Sequence, residues 1–146
     1  SNKSATTVKQ TNPKDALGIR KAPISCVPLP VLSEIGLGML EGACKYGKFN
    51  YRAVGIRASV YIDAMWRPLA SFAEGEDTDP ESGLSHLAKL CTSAIVARDA
   101  QMRGLMVDDR GPSSPAGWME GMNKMAGDIL DRHEDKHPKH YTIADG

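Results

Sequence analysis

The chain has 146 residues, 41% apolar and 25% charged, which suits one folded domain with a modest core. Eighteen basic and 18 acidic side chains cancel, so nothing favours a nucleic-acid polymer as ligand, and aromatic residues at 5% give no stacking platform for single strands. Cys26, Cys44 and Cys91 are odd in number and lack Cys-x-x-Cys pairing, which excludes a disulfide scaffold or structural zinc site and reads as reduced thiols.

The first 20 residues are polar and no apolar run approaches 18 residues, so neither a secretory leader nor a membrane span is expected, and a soluble intracellular protein is. Residues 1–11 read as a mobile polar tail. Pro13, Gly18, Pro23, Pro28 and Pro30 then forbid a long helix and predict an extended, ordered arm. A first helix is predicted over about 31–46, with Leu32, Ile35, Met39 and Ala43 on its buried face and Gly47 ending it. A polar loop over 47–55 follows.

The second helix is predicted over about 59–73, with Tyr61, Met65, Leu69 and Phe72 as its apolar stripe. Pro68 lies inside it, so a kink or break is expected there. The third has a clear start signal: Asp79 as N-cap, Pro80 in the first helical position, Glu81 at the positive end of the dipole. Leu84, Leu87, Cys91, Ala94 and Ile95 give its buried face as far as Met102. A loop, a weaker helix over 117–132 and a polar tail over 133–146 complete the chain, with no strand-like alternation and no repeat. The fold class is all-α, a single domain over 12–132.

Acidic residues recur along these helices. Glu34, Gly38, Glu41 and Lys45 share one face of the first, and Asp63, Arg67, Ala70 and Glu74 one face of the second. Between the second and third lies Glu74-Gly75-Glu76-Asp77-Thr78-Asp79-Pro80-Glu81, with more carboxylates than capping requires. If consecutive helices are antiparallel, as short connections favour, Glu34 lies at the same end as this loop, with Arg67 and His86 one to two turns below. Carboxylates converging on one place repel unless cations neutralise them. Mg²⁺ or Mn²⁺ with oxygen ligands is the natural occupant and suits phosphate chemistry. Solvated helix faces and a simple helix cap have the same pattern.

Three segments carry a resemblance: Asn12-Pro13-Lys14-Asp15-Ala16-Leu17-Gly18; Lys45-Tyr46-Gly47 with Asn50-Tyr51-Arg52; and Gly75-Glu76-Asp77-Thr78-Asp79-Pro80-Glu81-Ser82-Gly83-Leu84-Ser85-His86-Leu87. Together they resemble the phage dATP/dGTP diphosphohydrolases of MazZ type, within the MazG-like all-α nucleoside triphosphate pyrophosphohydrolases. The resemblance covers about 12–101. It implies a MazG-like helical bundle that cleaves the α–β phosphoanhydride of purine deoxynucleoside triphosphates and releases pyrophosphate. It also implies two or three Mg²⁺ or Mn²⁺ ions per site and a homodimer or homotetramer. The implied setting is the cytoplasm of an infected host cell, in phage 2-aminoadenine metabolism, where such an enzyme supplies dGMP and lowers dATP.

Two departures stand out. The family's Glu-x-x-Glu pair is not reproduced on the first helix, where Gly38 lies between Glu34 and Glu41. Both Glu76-x-x-Asp79 and Glu74-x-x-Asp77 match its Glu-x-x-Asp spacing, and many relatives read Arg-His-Leu where this chain has Arg67-Pro68-Leu69. The resemblance points to Glu34, Glu76, Asp79 and Glu81 as catalytic metal ligands, Glu41 and Asp63 as further ligands, and a metal-activated water as nucleophile. Lys14, Lys45, Asn50, Arg67 and His86 are the substrate-binding candidates; solvated lysines, a structural ion pair, a loop cap and a packing histidine are their plain alternatives.

His133, His137 and His140 have helical zinc spacing, but Pro138 interrupts the segment. Gly36-x-Gly38 sits in a helical pattern rather than after a strand, so it is no dinucleotide fingerprint. Two rival functions remain: an all-α triphosphohydrolase, which lacks the expected His-Asp pair here, and a non-catalytic phage binding protein.

Overall fold

The computed structural model describes residues 12–146; the tail expected over 1–11 lies outside them. The fold is all-α: α1 (Pro13–Gly18), α2 (Leu29–Tyr46), α3 (Ala58–Ala73), α4 (His86–Met102) and α5 (Trp118–Arg132). Two-residue strands β1 (Ile56–Arg57) and β2 (Met106–Val107) pair in parallel, Ile56 with Met106 and Arg57 with Val107. Strands this short leave no alternation to read in the sequence.

α4 is the central helix, packed against α3 along one side and α2 along another. β1 enters α3 and β2 leaves α4, so their pairing sets the start of α3 beside the end of α4. α3 and α4 are therefore antiparallel. α2 runs in the same general sense as α4: Gly38 abuts Thr92 at mid-helix, and Arg52, just beyond α2, grips Asp99 near the end of α4 through bonds of 2.9 and 2.7 Å.

Packing explains why α2 carries glycine at 38 and not the second carboxylate of the Glu-x-x-Glu pair that the resemblance implies. A Cβ there would collide with the Thr92 hydroxyl, which is fixed by donating to the Ala88 carbonyl at 2.9 Å. Close approach of the two helices thus requires glycine at the position where a glutamate would complete the pair.

Four expectations are corrected. The arm is not wholly extended, because Asn12 caps α1 by accepting from the Lys14 N–H at 3.0 Å, with Pro13 at the helix start and Asp15 in the first turn. α3 runs unbroken through Pro68, which is buried against the rest of the bundle; packing offsets the lost backbone bond to Ala64. α4 starts at His86 with Ser85 as N-cap, not at Asp79, because Asp79 closes a turn instead.

The fourth correction concerns the buried faces. Only Ile35, Ala58, Pro68, Ala88, Val96 and Ala100 are buried apolar residues among the described residues, while Leu32, Leu69, Phe72, Leu87 and Ile95 are exposed in the single chain. Small residues are buried where the helices meet closely, and α4 contacts partners on more than one side, so a single stripe does not describe it. α5 spans almost the expected 117–132, and its stripe of Trp118, Met122, Met125 and Ile129 is exposed. The tail ends in a 3₁₀ turn, Ile143–Asp145, and Ile143 lies over Gly75, next to the acidic loop.

Candidate active site

A groove of about 500 Å³ opens between α2 and α3 with α4 as its floor. α2 contributes Gly38, Glu41, Gly42, Lys45 and Tyr46, and α3 contributes Ala64, Arg67, Pro68 and Ser71. Glu76, Asp79 and Pro80 close one end, and His86, Lys89, Thr92 and Ser93 come from α4. Spacing of three and four residues on each helix puts these side chains on one face.

The acidic loop is a folded hairpin rather than a helix start. The Asp79 N–H donates to the Leu84 carbonyl at 2.8 Å and the His86 N–H to the Asp77 carbonyl at 3.0 Å, with Thr78 bridged to Ser85. Inside it Asp79 accepts from the Glu81 N–H and the Ser82 hydroxyl, each at 3.0 Å, an aspartate-closed turn. Lys89 adds an ion pair to the same carboxylate. That ammonium first, and the Glu81 amide second, hold the Asp79 carboxyl well below the usual carboxylate range. Asp79 is therefore ionised at any physiological pH.

Beside it, His86 Nε2 and Glu76 Oε1 are 2.6 Å apart. The imidazole is buried, with 8% of its side chain exposed, whereas Glu76 is 51% exposed. With its proton on Nε2 the ring donates to the carboxylate, fixing Glu76 while leaving its second oxygen open to the groove. On the α2 wall Lys45 Nζ stands 3.5 Å from Glu41 Oε1.

The structure thus gathers six of the sequence candidates, Glu41, Lys45, Arg67, Glu76, Asp79 and His86, around one groove. Glu34 is exposed one helical turn beyond Gly38, outside the groove wall. Asp63 is exposed on α3, Glu81 contributes its backbone N–H rather than a groove-lining side chain, and Lys14 is exposed on α1; none of the three lines the groove. Asn50 lines a neighbouring recess. Of the two Glu-x-x-Asp pairs, Glu76 and Asp79 line the groove, and Glu74 and Asp77 do not.

Sequence reasoning missed Lys89, Ser71, Thr92 and Ser93. Lys89 had a usable signal: it is a lone cation in an apolar helical stretch, three residues after His86 and so on the same face.

The second recess, about 520 Å³, lies on the other side of α2 and shares Gly38, Gly42, Tyr46, Thr92 and Ser93 with the groove. Its own lining is mainly apolar: Met39, Leu40, Ala43, Phe49, Tyr51, Tyr61 and Val96, with Asn50 and Lys48. Burial, and secondarily the neighbouring Tyr46, push the Tyr61 hydroxyl up from its ordinary value, keeping it neutral.

The polar groove, with its carboxylates and cations, thus adjoins an apolar recess. A family model described as dATP/dGTP diphosphohydrolase, N-terminal, matches residues 11–110, from the start of the arm past β2. The chain belongs to that family. It is therefore an enzyme, a dATP/dGTP diphosphohydrolase, and the matched segment contains every residue of the groove. No match was found among curated proteins or among solved structures.

In this diphosphohydrolase the groove's donors suit a hard divalent cation in kind, since the carboxylate residues Glu41, Glu76 and Asp79 all line it. Lys89 and His86 already engage two of them, and no three His, Cys, Asp or Glu side chains among the described residues stand close enough together to hold an ion. Among the described residues no helix is long and apolar enough to cross a membrane.

Proposed function

We propose that the enzyme hydrolyses purine deoxynucleoside triphosphates, dGTP and dATP, at the α–β phosphoanhydride, giving the monophosphate and pyrophosphate. The observation that carries this reading is the charge balance of the groove. Glu41, Glu76 and Asp79 face Lys45, Arg67 and Lys89, so the groove is close to neutral, yet a triphosphate brings about four negative charges, and a purely cationic pocket is not what this chain provides.

Mg²⁺ or Mn²⁺ arriving with the triphosphate would find carboxylate ligands in Glu41, Glu76 and Asp79, which line the same groove. Such ions neutralise phosphate oxygens and lower the pKa of a water. The chain's own cations do the rest. Arg67 offers a planar fork to two phosphate oxygens, and Lys45 and Lys89 act as point charges on either wall. His86 keeps Glu76 oriented through Nε2.

Incubation with dGTP and Mn²⁺, followed by analysis of phosphate products, tests the reading. Pyrophosphate is expected, in a chelator-sensitive reaction. Release of triphosphate would overturn the cleavage site, and turnover unaffected by chelation would overturn the metal. The MazZ-like segments further support a role in phage 2-aminoadenine metabolism within the infected host cell, supplying dGMP.

A homodimer or homotetramer is part of the same proposal. Among the described residues the buried apolar core of the single chain is six residues, three of them alanine and one proline, too little for a domain of this length to be stable alone. Exposed Leu40, Trp66, Leu87 and the α5 stripe supply the missing surface. Light scattering should give a mass at least twice that of the 15.7 kDa chain; a stable monomer at micromolar concentration would reject self-association.

A further inference from the structure

We infer that the recess beside the groove is the nucleobase subsite and that Phe49 is its stacking and specificity-determining residue. The inference rests on the nucleotide reading above but on different observations.

The first observation is continuity. Gly38, Gly42, Tyr46, Thr92 and Ser93 line both spaces, so the polar groove and the apolar recess adjoin along α2 and one ligand can have its phosphates in the first and its base in the second. The second is backbone conformation. Phe49 has φ 62° and ψ 22°, and among the described residues it is the single non-glycine with positive φ. Bulky residues rarely adopt this left-handed form, and such conformations collect at ligand-binding positions, where the surroundings enforce them.

The surroundings do enforce it. Arg52 lies 5.6 Å from the Phe49 ring centroid and is itself clamped to Asp99. Tyr51 meets the ring edge-on, with centroids 6.3 Å apart and planes at 66°. Lys48 Nζ lies 5.5 Å from the same centroid, and the loop keeps Phe49 exposed (53%) and lining the recess instead of tucked into the core. A flat heterocyclic base, which presents a π-face, is the natural partner for such a ring. Next to it Asn50 lines the recess, is half-buried, and its carboxamide makes no hydrogen bond among the described residues. A carboxamide offers one donor and one acceptor, the pattern that reads a base edge.

Binding measurements separate this subsite from the catalytic reading. dGMP, deoxyguanosine and inorganic tripolyphosphate are titrated by calorimetry into the wild type and a Phe49→Gly variant in the presence of Mg²⁺. Glycine suits the left-handed backbone, so the variant should fold. dGMP and deoxyguanosine should bind about ten-fold more weakly to the variant, with tripolyphosphate unchanged and Phe49→Trp retaining wild-type affinity.

Equal dGMP affinity in the wild type and the glycine variant, equal weakening of all three ligands, or a wild type that binds no nucleoside would each overturn the inference. A second measurement needs no variant. The chain has only two phenylalanines, so ring-labelled protein should show contacts from the purine H8 to one ring; contacts to neither, or to Phe72 alone, would also overturn it. A wild type that binds dGMP in this way yet cleaves no triphosphate would refute the proposed reaction and leave the base subsite standing.

Discussion

The two spaces flanking α2 share a wall and differ in nearly everything else. The groove towards α3 holds three carboxylates, three cations and a buried histidine, and its side chains are paired: Asp79 with Lys89, Glu76 with His86, Glu41 with Lys45. The recess towards the 47–51 loop holds tyrosines, a phenylalanine and a methionine, with one carboxamide. A single helix serves both because residues three and four apart face one way and the intervening ones another. Under the proposed function and the inferred base subsite the difference is a division of labour: the paired charges would carry the chemistry, and the apolar side the selection between ligands.

The sharpest way to break this division is to neutralise the polar side. Asp79→Asn and Glu76→Gln preserve shape and most hydrogen bonding, and each should lower kcat by on the order of 10²- to 10³-fold with the chain still folded. Near-wild-type turnover in both, measured with dGTP and Mn²⁺, would remove the groove from the chemistry. Lys89→Ala should come next, costing about ten- to a hundred-fold in kcat/KM, the range for a lost hydrogen bond to a charged group. An effect confined to thermal stability would make Lys89 only the partner of Asp79.

The shared wall gives a smaller and different effect. Gly38→Ala pushes a methyl group into Thr92, so overpacking should cost about 1–3 kcal/mol, seen as a lower Tm, and should disturb both spaces together. A stable Gly38→Ala variant with unchanged kinetics would show that α2 and α4 separate easily.

The mildest expected effect is on acid stability. Asp79, Asp99 and Asp109 are held below the usual carboxylate range, mainly by side-chain hydrogen bonds from Lys89, Arg52 and Ser59 respectively. A depressed folded-state value means the stabilisation is present above the ordinary carboxylate pKa of about 4 and is lost as pH falls through the folded value. Thermal midpoints should therefore be insensitive to these groups at neutral pH and fall progressively below about pH 4. A steep loss already between pH 7 and 5 would point to other groups, since these three are ionised throughout that interval.

Helix existence was legible because periodicity and breakers act locally: Gly47 stops α2, and the apolar spacing over 59–73 marks α3 despite Pro68. The start of α4 was not. Asp-Pro-Glu is a strong capping pattern, but Gly83 at φ 74° and the Asp79 turn favour a hairpin, and the choice between them depends on Lys89, ten residues away, pairing with Asp79. Arg67, His86, Glu41, Glu76 and Asp79 could be named as candidates because charge on a helix face is visible in spacing. Whether a charge reaches the groove depends on how far along a helix the groove extends, which leaves out Glu34, on helix rotation, which leaves out Asp63, and on the hairpin's turn, which leaves out Glu81.

By itself the sequence determined an all-α chain, a concentration of carboxylates around residue 76 and a resemblance to dATP/dGTP diphosphohydrolases, since composition, spacing and motifs are properties of neighbours along the chain. Only the tertiary structure decided that Glu76 with Asp79 faces the groove rather than Glu74 with Asp77. It also decided that Gly38 is required by Thr92 and that Phe49 stands strained beside an apolar recess. Each of those depends on the direction in which one segment meets another, and that is set by the packing of α2 and α3 on α4.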